Sequence, residues 1–572
     1  VLRSYLAKAQ SNEGDNGRAA KEIDLAKKLD PNDPPSWLYS ALLNQQLNRI
    51  NEGVSDLEKS QELNDNRRLF RSRLLLDQDR AVRSANLAAI YRDASMTDLS
   101  VREASRAVDS DFANFSAHLF LANSYDALRD PRAINLRYEA PWLSELLVAN
   151  LLAPVGAGSL SKNISQQEYS KLLERDRLGL SSYSEYLSSG DWLESASQFG
   201  TFGNLSYAFD VYQRNQTGQR PNNDLLSSTW WSKVKLQVTP QDSLMFQTIY
   251  YDYESGDVAQ YYNQGTASTT QRVKEKQEPI VFAGYHHEWQ PGSHTLILAG
   301  RLDDTLTRTD TTNKSIIVTS TVDFSTFPPK LVKADGIAES SLNYRSALEA
   351  YSSELMHIQQ AGPHTLIAGA RFQTGSSETT AGIANVTVTD KFGAVTAFGS
   401  RPVRIFETDL QRLSLYGYHQ WQMADSFRFT YGLTYDRLHY PLNIEVPPLT
   451  GSETSEYLVS PKVGFVWSLA PKTHLRGAFT RSLGGVFFDT SVRLEPTHIA
   501  GFNQAFRSLI PESIGGLIPG SHFETWSLAV DHQFGRKTYL GIEGDLFNST
   551  AERTLGVFNQ PGVAPVIADA SA

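Results

Sequence analysis

Two patterns of hydrophobic and polar positions divide the chain. From Leu2 to about Leu128, apolar residues recur at the three- and four-residue spacing of α-helices. Beyond about Gly179, apolar and polar residues alternate one by one, as they do along a half-buried β-strand. The sequence therefore predicts an α-helical region followed by a larger β region.

The alternation is clearest between residues 427 and 436. One face of this predicted strand is hydrophobic, and the other carries polar or small residues. The hydrophobic face consists of Phe427, Phe429, Tyr431, Leu433 and Tyr435. Similar segments recur at 205–211, 462–468, 475–480 and 526–531. Counting from Leu193, we expect about 14 strands, with a further strand near Arg553.

Short and long connections alternate between these predicted strands. The short ones fall at 200–203, 239–242, 290–293, 361–363, 423–425, 470–472 and 535–537. The long polar ones run at about 214–225, 255–276, 303–345, 375–404, 441–456 and 483–520. A transmembrane β-barrel has short turns on one rim and long loops on the other. A soluble sandwich has no reason to place every long loop on one edge, so the pattern favours a barrel.

Hydropathy supports a membrane crossing by strands. No run of 18 apolar residues occurs, and the most apolar candidate, around 142–155, is too short for a spanning helix. Tyrosine and tryptophan cluster near the predicted strand ends, as in the aromatic girdles of membrane barrels. These residues are Trp230, Trp231, Tyr250, Tyr251, Trp289, Trp421, Tyr440 and Trp467.

A period of 34 residues is present in the helical region. Leu87, Ala88 and Tyr91 are followed 34 residues later by a second set with the same residue types, and Trp37 opens an earlier unit. The second set is Leu121, Ala122 and Tyr125. Their length and residues resemble the tetratricopeptide repeat, in which small residues allow close helix packing and aromatic residues fill the gap to the next pair. A stretch near 67–79 lengthens the spacing, so the solenoid is interrupted there or carries a longer helix.

The resemblance to tetratricopeptide repeats implies a binding role. Such repeats hold an extended peptide or a partner protein on their concave face. The alternative is that the repeats brace the barrel or scaffold an assembly, and the sequence leaves both interpretations open.

Several β segments resemble the barrel of TonB-dependent receptors. These segments are Ser460–Phe465, Leu469–Thr473, Leu475–Ser482 and Phe523–Leu528, within a region of about 410–546. The resemblance implies an outer-membrane location and solute transport. It does not extend to the N-terminal plug or the energy-coupling box of that family, because the helical repeats stand in their place.

Composition removes several function classes. Cysteine is absent, which excludes thiol nucleophiles, disulfides and zinc-thiolate sites. A net charge of -10 argues against nucleic acid as a partner. Motifs such as GxSxG, HExxH and the Walker loop are missing, so we expect no catalytic residues and no enzyme. His286 and His287 are adjacent on a predicted strand and point to opposite faces, so we expect no metal site and no cofactor.

Basic residues at polar positions of the strands are candidate lumen-lining residues. They either form a path for an anionic or sugar-like solute or simply solvate the lumen. The set is Lys233, Lys235, Arg371, Arg428 and Arg476, with Arg301 and Arg481 as further members.

Together these patterns predict an α + β multidomain fold: an N-terminal α-solenoid of tetratricopeptide-like helical hairpins, followed by a large antiparallel transmembrane β-barrel truncated at both ends. The expected divisions are helical repeats at 1–140, a junction at 141–190 and the barrel at 191–572.

The predicted function is a bacterial outer-membrane channel or receptor that transports a solute of unknown identity. Its partners are outer-membrane lipid and a protein or peptide bound by the periplasmic repeats. A polysaccharide export porin and a structural scaffold with no flux are the alternatives.

Overall fold

The computed structural model describes most of the chain. The described residues are 2–67, 73–128, 140–155, 177–259, 261–323, 325, 327–390, 393, 395–399, 403–443, 449–485, 492–504, 519–534 and 538–550.

Eight α-helices lie in the N-terminal part of these described residues. They are α1 Leu2–Asn12, α2 Asn16–Leu29, α3 Pro34–Gln46, α4 Ile50–Glu62, α5 Arg73–Asp93, α6 Thr97–Ser110, α7 Phe115–Leu128 and α8 Ala140–Leu152. Local chemistry sets where several begin: the Asp15 side chain accepts from the backbone N–H of Arg18 before α2, and Pro34 opens α3. Consecutive helices pack together in pairs.

Two features of the helical region were left open or assigned differently by the sequence pattern. The 21-residue α5 is longer than the other helices, which accounts for the extra length near residues 67–79. The range 141–190, expected to be a junction, contains most of α8 and the first strand. Since α8 is apolar on nearly every side, it is buried as a core helix.

The β region contains 18 strands within the described residues. They are β1 Arg177–Tyr186, β2 Trp192–Phe202, β3 Leu205–Gln216, β4 Leu225–Gln237, β5 Asp242–Ser255, β6 Arg272–Gln290, β7 Ser293–Asp323, β8 Lys330–Ala361, β9 His364–Asp390, β10 Val395–Gly399, β11 Arg404–Ala424, β12 Phe427–Asn443, β13 Thr450–Ala470, β14 Thr473–Leu483, β15 His498–Ile499, β16 Phe502–Asn503, β17 His522–Phe534 and β18 Thr538–Thr550.

Sixteen of these strands form one antiparallel, barrel-like sheet in which neighbours along the chain are neighbours in space. β10 pairs only with β9, while β15 and β16 form a separate small hairpin. The path runs from β1 to β18, and no pairing joins these two strands in the part of the chain that the structure describes. The sheet is therefore open between its first and last strands.

The short connections lie where the sequence pattern predicted them, for example at the tight turns before Ser293, His364 and Thr473. Gly292 and Gly362 adopt positive φ angles of 83° and 58° in two of these turns, a conformation that glycine adopts without strain. The predicted turn at 535–537 and the predicted strand near Arg553 lie outside the described residues. The short turns lie along one rim of the sheet, which we call the short-turn end. We call the opposite rim the long-connection end.

Two predicted long connections are wrong. Residues 303–345 and 375–404 mostly continue as strands, because β7 pairs with β8 out to Asp323 and Lys330, and β9 pairs with β8 out to Asp390. These stretches are rich in threonine, valine and isoleucine, which favour strands even where polar residues occupy both faces. Polarity alone therefore does not mark a loop here.

The two faces of the sheet differ in chemistry. On β12, Leu433 is 53% exposed whereas its neighbour Asp436, on the opposite face, is 3% exposed. We call the face that carries Leu433 the outer face and the face that carries Asp436 the inner face; directly paired residues share a face throughout the sheet. Large exposed apolar side chains on the outer face include Trp230, Phe246, Leu355, Phe372, Trp467, Trp526 and Leu528.

Helices cover part of the inner face. Trp142 of α8 packs edge-on against Trp231 of β4, with ring centroids 5.7 Å apart. Further along the sheet, α6 contacts β17 through Arg102 and Asp531. Contacts with strands this far apart in the sheet order mean that the sheet curves around the helices. One continuous apolar cluster joins α5–α8 to the inner face.

None of the helices in the described ranges combines the length and the apolar character that a membrane-spanning helix requires.

Candidate functional site on the inner face of the sheet

A segment between β14 and β17 lies against the inner face and carries the densest polar contacts there. We call residues 492–504, which include the β15–β16 hairpin, the inner loop. Nearly every residue in it is buried. Because β14 ends and β17 begins at the long-connection end, the inner loop reaches into the sheet from that rim.

Glu495 of the inner loop is a focus of these contacts. Its carboxylate accepts hydrogen bonds from Arg493, from the Tyr418 hydroxyl and, at 2.9 Å, from the Thr434 hydroxyl. The Lys462 ammonium lies 3.7 Å away. The buried negative charge is thus surrounded by two cations and two hydroxyl donors, which offset its loss of water.

A second contact set holds the start of the inner loop. The Glu354 carboxylate accepts from the backbone N–H of Leu494 at 2.9 Å and from the Tyr416 hydroxyl at 2.7 Å. Arg371, opposite Glu354 in the sheet, donates to the carbonyl of Val492 at 3.2 Å. Paired charges on β8 and β9 therefore bind the loop backbone.

A third pair lies where the connection leaves the sheet. Arg412 forms an ion pair with Asp436 at 2.9 Å and donates to the carbonyl of Leu483 at 3.0 Å. Both charged side chains are almost fully buried. This pair fixes the end of β14, from which the inner loop departs.

The other side of the inner loop meets the helices. The Thr497 hydroxyl donates to Glu145 of α8, and the same carboxylate lies 2.5 Å from His118 of α7. His498 lies 3.3 Å from the Asp109 carboxylate of α6. The inner loop is thus clamped between the sheet and the helices.

Charge pairing sets the protonation of these helix contacts. Burial alone would raise the pKa of Asp109, but the hydrogen bond and positive charge of His498 hold that pKa below its usual range. Burial alone would lower the pKa of His498, yet the hydrogen bond to Asp109 and the charges of Asp109 and Glu145 raise it. The pair is therefore favoured in its charged form.

The helices also contact the sheet directly through polar groups. Lys235 donates to the carbonyls of Asn150 and Leu151 at 2.8 and 2.7 Å, at the C-terminal end of α8, where unpaired helix carbonyls attract a cation. The Glu58 carboxylate of α4 accepts from Gln533 and Tyr539. These strand residues lie toward the short-turn end, so the helices enter the sheet from that rim.

The predicted lumen-lining residues fall into two groups. Lys233, Lys235, Arg371, Arg428 and Arg476 occupy inner-face positions; Arg476, for instance, donates to Ala500 of the inner loop at 3.3 Å. Whether they line a solute path stays a prediction.

Arg301 and Arg481 lie on the outer face instead and pair there with acidic residues: Arg301 with Glu349 at 2.9 Å, and Arg481 with Glu524 at 3.3 Å. The alternation itself shows why Arg481 differs from Arg476: residues five apart on one regular strand face opposite sides.

The proposed repeat-packing residues lie in the helical core, apart from Trp37. Trp37 is partly exposed, donates to the carbonyl of Pro31 at 2.8 Å and stacks under the Lys27 ammonium. The buried ones are Leu87, Ala88, Tyr91, Leu121, Ala122 and Tyr125. Their assignment to tetratricopeptide repeats stays a prediction.

The sequence pattern did not single out the acidic members of the site. Glu354 and Asp436 occupy the same inner-facing register as the basic residues, so alternation would have found them. Glu495 lies outside any strand and His498 lies in the two-residue strand β15, so no alternating pattern marks either residue.

His286 and His287 do point to opposite faces: His286 lies 3.0 Å from His294 on the inner face, whereas His287 lies 2.7 Å from Asp242 on the outer face. Within the described ranges, no group of three or more potential metal ligands comes together.

Comparison with known proteins supports the barrel over part of the chain. Residues 333–512, which include the inner loop, match the family model described as TonB dependent receptor-like, beta-barrel. This match covers less than half of the chain. A search of curated proteins finds no match.

Several solved structures are similar to part of the chain. The unliganded ferric citrate transporter is 14% identical, with a TM-score of 0.39, over 63% of this chain and 49% of its own. The ferric preacinetobactin receptor from Acinetobacter baumannii is 11% identical, with a TM-score of 0.41, over 63% of this chain and 52% of its own. The chain spans about half the length of these structures. At such scores the likeness carries no argument about substrate.

Removing the carboxylate of Glu495 should destabilise the site strongly. In Glu495→Ala, Lys462 and Arg493 lose a buried counter-charge, so we expect the free energy of unfolding to fall by about 3–5 kcal/mol. Urea unfolding of the chain folded in lipid vesicles, followed by tryptophan fluorescence, measures this loss. The matched control is Glu453→Ala, whose partly exposed pair with His439 should contribute less than about 1 kcal/mol. Equal losses in both variants would contradict the assigned role of Glu495.

The contact between His498 of the inner loop and Asp109 of α6, which we call the clamp, should weaken in alkaline solution. Since the pKa of His498 is raised on folding, its stabilising contribution is complete below its unfolded pKa and is lost as pH rises through the folded value. Asp109 has the opposite sign, so its contribution is lost only as pH falls through its lowered pKa.

Thermal unfolding between pH 6 and pH 9 tests this dependence. The wild-type midpoint should fall toward pH 9, and His498→Gln should show a smaller fall. His439→Gln, which changes a histidine remote from the clamp, should retain the wild-type slope. An unchanged alkaline slope in His498→Gln would rule out His498 as the titrating group.

Proposed function

We propose that this chain is an outer-membrane, TonB-dependent receptor-like barrel that takes up a solute, with its lumen occupied by the helices and the inner loop. The observation that carries the proposal is the separation of the two sheet faces. Large apolar side chains are exposed on the outer face, where lipid would cover them, whereas charged side chains are buried in pairs on the inner face.

The family match supports uptake over export. Residues 333–512 match the model of a TonB dependent receptor-like barrel, and receptors of that family bind solutes such as siderophores and metals. We therefore propose a metal chelate as the solute class. The inner face offers both signs of charge, which suits a chelate that carries carboxylate or phenolate groups beside a cation.

The helices have two proposed roles. Because α4, α6 and α8 contact the inner face near the short-turn end, they occupy part of the space that a solute would cross. The 34-residue period supports the second role, in which the repeat surface that faces away from the sheet binds a periplasmic protein or peptide. Both roles place the helices on the periplasmic side.

The dense packing of the inner face favours a second candidate, a scaffold without flux. Deletion of residues 492–504 distinguishes the two. If the barrel is a transporter, this deletion should let small sugars enter liposomes that the wild-type chain keeps closed, because the sheet loses its inner contacts. A deletion variant that folds and still passes no sugar favours the scaffold.

An arginine on the outer face tests the membrane location. In Leu433→Arg, a charge at mid-strand would face hydrocarbon, so we expect the free energy of unfolding in lipid vesicles to fall by about 2–4 kcal/mol. Leu29→Arg, at a 69% exposed position of α2, should change it by less than about 0.5 kcal/mol. If Leu433→Arg is as stable as its control, the outer face does not meet lipid.

A further inference from the structure

Histidines lie on the outer face of several strands, close to the short turns. His287 of β6, His357 of β8, His364 of β9, His419 of β11 and His532 of β17 are within a few residues of the nearest turn. We call these five residues the histidine rim. Each is partly exposed, and they extend over much of the sheet.

Two members of the rim each belong to a small hydrogen-bonded group, and the two groups meet where the His287 ring packs edge-on against Trp289. His287 lies 2.7 Å from the Asp242 carboxylate, and the Tyr285 hydroxyl donates to the same carboxylate. His357 lies 3.0 Å from the Thr295 hydroxyl, which also accepts from the Trp289 indole at 2.9 Å. Histidine and tryptophan thus occur together at one level of the sheet.

The other members have similar aromatic surroundings. His364 and His419 lie 3.0 Å apart between ring nitrogens, and the His364 ring stacks on Trp421. The Tyr431 hydroxyl lies 2.7 Å from the other ring nitrogen of His419. His532 lies 2.8 Å from the Thr473 hydroxyl and packs edge-on against Phe534.

The opposite rim has a different set of cations. Toward the long-connection end, outer-face arginines such as Arg345, Arg272 and Arg481 pair with acidic side chains. On the outer face beside the short turns, the described strand ends carry no lysine or arginine. Among the described strand ends at this rim, histidine is therefore the residue type that can bring positive charge to the outer face, while Lys472 lies in the turn itself.

We propose that the histidine rim binds the phosphate groups of anionic phospholipids in the leaflet that meets the short-turn end, and that it binds them more tightly as pH falls. This inference rests on the proposed membrane location. Tryptophan and phenylalanine place the rim at the boundary between hydrocarbon and headgroups, where phosphates lie. A neutral histidine donates one N–H to a phosphate, and a protonated histidine donates two and adds a charge.

Neighbouring groups determine how much charge the rim can gain. An unperturbed histidine titrates near pH ~6.5. The Asp242 carboxylate faces His287 at 2.7 Å, and the rings of His364 and His419 face each other at 3.0 Å. His286 and His294 lie behind the rim, on the inner face, 3.0 Å from each other.

Quenching by brominated lipids tests the proposal on the full chain folded in vesicles. Trp289 and Trp421 pack against histidines of the rim, so bound brominated phosphatidylglycerol should quench their fluorescence. Between pH 8 and pH 5.5, we expect the preference for phosphatidylglycerol over brominated phosphatidylcholine to rise by roughly tenfold, since each basic charge near an anionic surface strengthens binding several-fold. Added inorganic phosphate should not reverse this preference if the lipid is the ligand.

The variant with all five rim histidines changed to glutamine should lose most of the pH dependence. The matched control, His439→Gln with His522→Gln, removes two histidines from the long-connection end and should behave as wild type. If the five-fold variant does not fold, His532→Gln alone should reduce the preference measurably. Any of three results would overturn the proposal. The wild-type preference for phosphatidylglycerol could be independent of pH, its pH dependence could persist in the rim variant, or free phosphate could abolish the preference. Failure of the wild-type chain to insert into vesicles would instead contradict the proposed membrane location.

Discussion

Charge that leaves water must be matched by a partner, and the arrangement of this molecule depends on how that requirement is met on the inner face. Arg412 with Asp436, Arg371 with Glu354, and Lys462 with Glu495 are buried together. Two of these pairs include, or directly bind, atoms of the inner loop. The position of that loop is therefore set by electrostatic matching as well as by apolar packing.

The same requirement explains why the helical region and the β region are not independent bodies. Lys235 is satisfied by helix carbonyls, and Asp109 and Glu145 are satisfied by histidines, one of which comes from the inner loop. The helices approach from the short-turn end and the inner loop from the long-connection end. The two meet in the interior, where each completes the hydrogen bonds of the other.

Much of the sheet could be predicted from the sequence, because a two-residue alternation such as that around Leu433 has few other structural explanations. The outer parts of β7 and β8 were misjudged, since a strand with polar residues on both faces looks like a loop when polarity is the criterion. The burial of α8 against the sheet was also missed. Periodicity shows which side of a helix is apolar. Because α8 is apolar almost all round, its sequence does not indicate which side packs against the sheet.

The site was predictable only in part, for a similar reason. Inner-face positions such as Lys235 and Arg476 follow from register, whereas the inner loop has no repeating pattern to read. Its contacts with Asp109 and Glu145 join residues several hundred positions apart in the chain. Such pairings arise from how the connections fold back, which a single sequence does not display.

The order of elements along the chain has a consequence for biogenesis. The ribosome completes α1–α8 before any strand of the sheet, yet strands from β4 to β18 later surround those helices. The helices hold polar contacts with β4, β17 and β18, so the part of the polypeptide that is made first completes its hydrogen bonds only when the last strands have been made.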